Sequence, residues 1–328
     1  MKNRILTGLK VVVSLGLIAY LLTKVDVATV GAAIRSTNYA YLAVALLLYA
    51  GAVTSGGLKW YVLLRAQGID VPFTAILAYT FEGVFFNNFL PANVGGDVMR
   101  GYGLAKHTNR VAEAAVSVVV DRIVGLIAFM TAAFASAVVV VFFTGQRQLM
   151  GAVLASGLGM AALAGLFAAV LSRHVRALVE RLFRNRWLAR LAPVYRRLSD
   201  ALSAYRFKFG RLVLAFCVSL STLILSNVAN YMVVQALGVG GDIKLLHIFL
   251  FNPLIAFVLL IPVSVGGLGL NQGAFVFFYG LVGVRQEVAL PVSLVMQIII
   301  YITSLPGGAL WWRSRQRSTT GIERSSVS

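Results

Sequence analysis

Charged residues, cysteine and histidine are all scarce in this sequence. Only 12% of the residues are Asp, Glu, Lys or Arg, whereas about a quarter are charged in a soluble globular domain. The single cysteine, Cys217, allows neither an internal disulfide nor a thiolate metal site, and the three histidines are too scattered to suggest one. No nucleotide-binding loop of the G-x-x-x-x-G-K-[ST] type is present. We therefore expect no metal, no cofactor and no catalytic constellation.

Long apolar runs take the place of the missing charge. Apolar residues make up 59% of the chain, and the mean hydropathy is +0.85. Runs of about 20 residues, enough to cross a hydrocarbon core as a helix, recur and are continuous rather than alternating. The sequence thus predicts an all-α polytopic membrane protein with about six full spans. The predicted spans are residues 5–23, 39–58, 123–143, 149–171, 211–238 and 288–312.

The N-terminal run follows Lys2 and Arg4, as the apolar run of a signal peptide also would. It is long, however, and no convincing small-residue cleavage site follows it. We interpret it as a retained first span.

The net charge of +18 is concentrated in a few segments. Of the 29 basic residues, eleven lie in residues 173–211 and four in residues 313–324. Basic clusters beside membrane spans mark the cytoplasmic side, so nucleic acid is not an expected partner. We predict a multi-pass protein of the cell inner (plasma) membrane with both termini in the cytoplasm.

Leucines and arginines interleave within the first basic cluster. This pattern predicts an amphipathic helix on the inner surface, which could also gather anionic lipid headgroups. A topology determinant with no other role is an equal alternative.

Two apolar stretches, residues 73–122 and 245–284, are interrupted by the same short element. Residues 91–96 and 262–267 both read Pro-x-[Asn/Ser]-Val-Gly-Gly. Proline stops the preceding helix, and paired glycines allow backbone conformations and close approaches that other residues do not. We predict a re-entrant or broken helical hairpin in each stretch. A pair of kinked, tightly packed helices is the alternative.

Charge parity sets the direction of these hairpins. The short loops at 145–148, 240–244 and 285–287 carry one basic residue each, which is consistent with the outside. The first hairpin then begins and ends on the cytoplasmic side and the second on the outer side. An inverted repeat with broken helices near the midplane is a recurring plan of transporters.

This layout gives one integral membrane domain, residues 1–312, with inverted halves of about 1–143 and 149–312. Spans flanking a basic cytoplasmic segment, residues 173–210, join the halves. Residues 313–328 form a basic cytoplasmic tail.

Polar residues accompany both interruptions. Asp97 and Arg100 follow the first on one helix face, and Asp121-Arg122 opens the next apolar run. Ionisable groups at membrane depth usually line a cavity or pair with each other, although Asp97 could simply cap a helix. The candidate substrate-binding residues are Asn93, Gly95, Gly96, Asp97, Arg100, Asp121, Arg122, Ser264, Gly266, Gly267, Gly269, Asn271 and Gln272.

A phosphate between the hairpins would meet unpaired amides near residues 95–97 and 266–269, because helix N-termini attract anions. Asn252 lies near the start of the second stretch, and Asn227 and Asn230 could line the same cavity. For Asn227 and Asn230, hydrogen bonding between helices is an equal alternative.

Three motifs resemble those of a known family. They are FLPANVGGDVMR at residues 89–100, VDRIVG at residues 120–125 and IPVSVGGLG at residues 261–269. The chain resembles, over most of residues 1–312, the flippase-like or lysylphosphatidylglycerol synthase transmembrane region family. The resemblance implies translocation of lipids, notably aminoacylated phosphatidylglycerol, from the inner to the outer leaflet. The chain ends soon after its last span, so we do not expect the soluble domain that synthesises such lipids.

The sequence departs from the family pattern at two sites. Asn271-Gln272 stands where members commonly carry an acidic pair, and Asp121 stands where glutamate is usual. The first departure removes a charge from the predicted cavity, whereas the second keeps it.

A lipid transporter is the leading hypothesis, with a membrane phospholipid as its partner. One alternative is a membrane-embedded enzyme acting on a polyprenyl-phosphate-linked substrate, although the outer loops are very short for a catalytic site. Another is a non-transporting partner of a separate lipid synthase. The sequence also leaves the oligomeric state open, and a homo-oligomer is one alternative.

Overall fold

The computed structural model of the chain describes residues 37–89, 95–143, 145, 150–172, 192–259, 261 and 264–325. Within these residues the secondary structure is entirely helical, with ten α-helices. They are α1 (Tyr39–Ala66), α2 (Phe73–Phe89), α3 (Gly95–Thr108), α4 (Val111–Phe143), α5 (Met150–Leu171), α6 (Ala192–Ser203), α7 (Phe209–Ala236), α8 (Leu245–Val258), α9 (Leu270–Gly280) and α10 (Gln286–Ser325).

Five of the described helices, α1, α4, α5, α7 and α10, are long and apolar enough to cross a membrane. They coincide with five of the six predicted spans. The remaining predicted span, residues 5–23, lies outside the described residues.

Both interrupted stretches contain broken helices, as predicted. The first holds α2 and α3, of 17 and 14 residues, and the second holds α8 and α9, of 14 and 11 residues. Between α8 and α9, three glycines adopt positive φ angles of 57°, 75° and 79°: Gly266, Gly267 and Gly269. Glycine is required at such angles because a Cβ would clash with the backbone.

Several predicted boundaries are wrong. The first interrupted stretch ends at Thr108, and residues 111–122 already belong to α4. The predicted span 39–58 ends too early, because α1 continues to Ala66. The last helix, α10, continues from the predicted last span into the basic tail and ends at Ser325.

The predicted amphipathic helix lies largely in residues 173–191, outside the described part of the chain. The described remainder forms α6, which packs against α4. Ala201 of α6 is buried there, whereas Arg196 and Arg197 are exposed.

Helix packing brings the two interrupted stretches together. The α1 helix packs most extensively on α7, and α2 lies between α3 and α10. Gly266, in the second stretch, lies so close to the end of α2 that an added Cβ would be 2.5 Å from the carbonyl oxygen of Asn88. The Asn88 side chain donates a hydrogen bond of 2.9 Å to Ser304 of α10. The end of α2, in the first half of the chain, is therefore held by residues of the second half.

Candidate functional site

One carboxylate and two cationic side chains meet between α1, α3 and α4. Asp121 is only 3% exposed, and its carboxylate lies 3.0 Å from Lys59 Nζ and 2.6 Å from Arg100 Nη2. Lys59 also donates a hydrogen bond of 3.1 Å to the Asp121 carbonyl. An ionised carboxylate buried this deeply requires paired cations, and here it has two.

Asp97 connects this cluster of three charged side chains to a further cation. Its carboxylate lies 3.0 Å from Arg100 Nε, at ion-pair distance but without hydrogen-bond alignment. Its other oxygen accepts a hydrogen bond from Arg122 Nε. Two carboxylates and three cations thus leave one net positive charge. We name these five residues, Lys59, Asp97, Arg100, Asp121 and Arg122, the charge network.

Aromatic packing fixes the middle of the charge network. The Arg100 guanidinium lies 5.0 Å from the centre of the Trp60 ring, a distance at which the ring attracts a cation. Trp60 is fully buried and donates a hydrogen bond of 3.0 Å to Ser117. Because Trp60 and Lys59 are neighbours on α1, one turn of this helix supplies Lys59 and also contacts Arg100, the other cationic partner of Asp121.

The position of α3 depends on two glycines and an asparagine. The Gly96 amide donates a hydrogen bond of 2.7 Å to Asn87 Oδ1, which satisfies one unpaired donor of the helix N-terminus. Gly96 and Gly83 approach so closely that a Cβ added at Gly96 would overlap the Gly83 carbonyl oxygen. The backbone contact brings Asp97 and Arg100 against α4.

The charge network lines a cavity of about 300 Å³, here called the charged cavity. Polar residues from α1, α2 and α7 complete its wall. These are Tyr49, Thr80, Asn87, Ser219, Thr222 and Ser226.

A groove of about 950 Å³ runs between α3 and α4 beside the charged cavity. It is lined mainly by apolar side chains. Many of them, including Val98, Tyr102 and Val119, are exposed on the surface of the protein. Asp97, Arg122 and Leu126 line both the groove and the charged cavity. An apolar surface channel therefore ends at a charged pocket.

A third cavity, of about 250 Å³, adjoins the charged cavity on the other side. Tyr49, Phe129, Leu223 and Ser226 line both. Four carboxamides from α7, α8 and α9 converge on the third cavity, which we call the amide cavity. They are Asn227, Asn230, Asn252 and Asn271.

The predicted site residues separate into groups in the structure. Five of them line the charged cavity: Gly96, Asp97, Arg100, Asp121 and Arg122. Asn271 lines the amide cavity, and Asn93 lies outside the described residues. Gly95 begins α3.

The second glycine element has a structural role in the described region. Ser264 and Gln272 are buried, and the Gly269 amide donates a hydrogen bond of 2.7 Å to Gln272 Oε1. The carbonyl oxygen of Gly267 accepts a hydrogen bond from the backbone amide of Asn271. The Gly269 amide, which we expected to meet a phosphate, is thus engaged by the side chain of its own helix.

Sequence reasoning missed Lys59 and Trp60 as parts of the site. Lys59 follows an apolar run and resembles the start of a loop, but it lies within α1 and pairs with Asp121. A lysine near the end of a predicted span, 62 positions from its partner, gives no local signal. Among the described residues, no group of three His, Cys, Asp or Glu side chains could hold a metal ion.

The comparison with known families is decisive for the class of protein. The lysylphosphatidylglycerol synthase TM region family matches residues 8–308. The chain belongs to this family. The resemblance drawn from the three motifs is therefore confirmed.

Two archaeal relatives extend over most of the chain. A UPF0104 membrane protein of Methanothermobacter thermautotrophicus (Delta H) is 26% identical over 291 residues, which cover 82% of this chain and 83% of the relative. A UPF0104 membrane protein of Pyrococcus horikoshii is 22% identical over 295 residues, covering 84% and 88%. The family member described here is thus similar to other membrane proteins over most of its length.

Proposed function

We propose that this family member transports a phospholipid between the leaflets of the inner membrane. The phosphate of the headgroup binds beside the charge network, and an acyl chain lies in the groove between α3 and α4. The observation that carries the proposal is the continuity of the two spaces, which share Asp97, Arg122 and Leu126. A soluble anion would need the charged cavity but not the groove.

The electrostatics of the charged cavity favour an anion. The charge network has one more cation than it has carboxylates. Its outermost member, Arg122, keeps 42% of its side chain exposed. Arginine offers several donors to phosphate oxygens in a fixed geometry, so Arg122 can remain on Asp97 and still contact a headgroup.

The broken helices support transport as well. Helices of 11 to 14 residues are too short to span a bilayer alone, and the 17 residues of α2 are at the lower limit of a spanning helix. Paired broken segments are the sequence pointer to a transporter site. We propose that the two stretches enter from opposite faces, as the charge parity predicts, with both termini in the cytoplasm. Transport rather than catalysis fits the carboxylates, because Asp97 and Asp121 are both engaged by cations.

Arg122→Ala is expected to reduce lipid transport about ten-fold or more, because a hydrogen bond to a charged group contributes about 1.5–3 kcal/mol. The measurement is the rate at which a fluorescent phosphatidylglycerol changes leaflet in proteoliposomes, followed by dithionite quenching of the outer leaflet. The partial exposure of Arg122 makes this variant less disruptive than one at Arg100.

The matched control is Arg110→Ala, which removes an exposed arginine between α3 and α4 and should leave the rate unchanged. Equal rates for the wild type, Arg122→Ala and the control would rule out this use of the charge network. No leaflet exchange above that of protein-free liposomes would rule out transport of this lipid.

Filling the groove is expected to slow transport without removing any charge. Ala115 lines the groove and is exposed, so Ala115→Phe adds a ring in the proposed path of the acyl chain without overpacking the core. We expect a several-fold lower rate in the same assay. Val139→Phe is the control, because Val139 is exposed on the same helix but does not line the groove; an equal effect of both substitutions would contradict an acyl-chain role.

A further inference from the structure

The amide cavity contains two buried polar atoms that have no hydrogen-bond partner within the described structure. They are Asn227 Nδ2 and Asn230 Oδ1, on side chains of residues that are 3% and 6% exposed. Leaving a buried amide unpaired is unfavourable by about 1–3 kcal/mol. Such atoms in a cavity of about 250 Å³ indicate a place where something else supplies the missing hydrogen bonds.

The unpaired atom on Asn227 does not depend on how its amide is oriented. Asn252 donates to Asn227 Oδ1 at 3.1 Å, and Tyr279 donates to Asn252 Oδ1 at 3.3 Å. Reversing both carboxamides and the phenol proton would keep these contacts and would expose an oxygen of Asn227 instead of its nitrogen. Either way one polar atom of Asn227 remains without a partner.

The lining of the amide cavity defines the ligand chemistry. None of its described lining residues is charged, so it provides neither a counter-ion for an ammonium group nor a cation for a phosphate. In the orientation that the structure has, Asn227 Nδ2 is an unpaired donor and Asn230 Oδ1 is an unpaired acceptor. A hydroxyl group both donates and accepts hydrogen bonds, and so matches this pair, whereas an ammonium only donates and a phosphodiester only accepts.

We propose that the amide cavity binds the neutral, hydroxyl-bearing part of a lipid headgroup, such as a glycerol or a sugar. This inference rests on the proposed function, and it names the substrate class of that site. The phosphate lies in the charged cavity, and the hydroxyl groups lie beyond the shared wall of Tyr49, Phe129, Leu223 and Ser226. A headgroup that ends in a cation lacks a partner there, because Asn271 and its neighbours are uncharged.

The test compares two lipids that differ only in their hydroxyl groups. Dioctanoyl phosphatidylglycerol and dioctanoyl phosphatidylpropanol carry the same phosphodiester charge and the same number of headgroup carbons. Their binding to the purified full chain in detergent is measured by native mass spectrometry. We expect the wild type to prefer phosphatidylglycerol by about five-fold for each hydrogen bond gained.

Asn230→Leu removes one of the unpaired atoms and keeps the number and branching of the side-chain heavy atoms. We expect the variant to lose about five-fold in its preference for phosphatidylglycerol while binding phosphatidylpropanol as before. Its thermal unfolding midpoint should be unchanged or higher, because an unsatisfied buried oxygen has been removed. Ser221→Leu, an exposed position on the same helix, should keep the wild-type preference.

The outcomes separate this inference from the proposed function. Equal affinity of the wild type for both lipids would indicate a water-filled cavity and would overturn the inference, as would a preference unchanged in Asn230→Leu. A lower unfolding midpoint for Asn230→Leu with an unchanged lipid preference would likewise indicate a structural role only. A hydroxyl-dependent preference without leaflet exchange in proteoliposomes would support the binding site. It would contradict only the proposed transport function.

Discussion

Asp121→Asn is expected to lower the free energy of unfolding by about 3–5 kcal/mol and to abolish transport. Asparagine preserves the volume of the side chain but removes the negative charge shared by Lys59 and Arg100. Removing one partner of a buried ion pair leaves the other charge uncompensated in a low dielectric, and this is the origin of the large effect. The expected loss far exceeds that for an exposed ion pair, which is usually below about 1 kcal/mol.

The measurement is unfolding of the purified protein in detergent micelles by a denaturant titration. Glu113→Gln provides the control, because Glu113 lies in the first turn of the same helix outside the charge network. Its substitution should change stability by less than about 0.5 kcal/mol. If Asp121→Asn and Glu113→Gln had the same small effect, Asp121 would not be a buried partner of two cations.

Gly96→Ala is expected to lower the free energy of unfolding by about 3 kcal/mol or more. The added methyl group would overlap the Gly83 carbonyl and would also come within 2.7 Å of Asn87 Oδ1. Because the obstructing carbonyl belongs to the backbone of α2, the overlap can be relieved only by moving one helix. Overpacking of this kind usually has an effect of about 1–3 kcal/mol, and more where neighbours cannot move.

Gly101→Ala is the matched comparison on the same helix. A methyl group there would meet Val118 at 3.5 Å, an ordinary contact, and alanine is the better helix former by about 1 kcal/mol. Stability should be unchanged or slightly raised. Opposite outcomes for the two glycines, measured by the same titration, would establish that α3 is positioned by backbone contact rather than by its helix propensity. Similar outcomes would contradict the close approach of α2 and α3.

The interruptions of the helices were predictable from the local sequence alone. A proline followed by two glycines stops one helix and allows the next to begin at a new angle, and the structure has α2 ending before the first pair and α9 beginning after the second. The boundaries were less predictable, because apolar residues such as Val111 and Val116 can extend a span or belong to a preceding hairpin. Their assignment to α4 depends on tertiary packing.

Four of the five residues of the charge network were predicted from the sequence, but most of their pairings were not. Asp97 and Arg100 are three positions apart and share a helix face, so their pairing could be expected. The partners of Asp121 come from other helices, and two complete helices, α2 and α3, separate Lys59 from it in the sequence. A local pattern identifies ionisable groups at membrane depth, but only the fold determines which of them are partners.

The two interruptions also differ in role. The first leads into Asp97 and Arg100 of the charged cavity, whereas the second contributes Asn271 to the amide cavity and uses Gln272 to cap α9. The sequence already indicated that the second element lacked charge. Its packing on Asn88 could not be expected, because that contact depends on how the two stretches meet.

The most direct test of the account is to map where a phospholipid binds. A phosphatidylglycerol with a photoactivatable diazirine in its acyl chain is incorporated into proteoliposomes and crosslinked, and the modified positions are identified by mass spectrometry. We expect enrichment at groove residues such as Val98 and Val119 over the exposed residues Leu154 and Leu158 of α5, and loss of this enrichment in Ala115→Phe. Equal labelling of the groove and α5, unchanged by Ala115→Phe, would contradict the proposed lipid site.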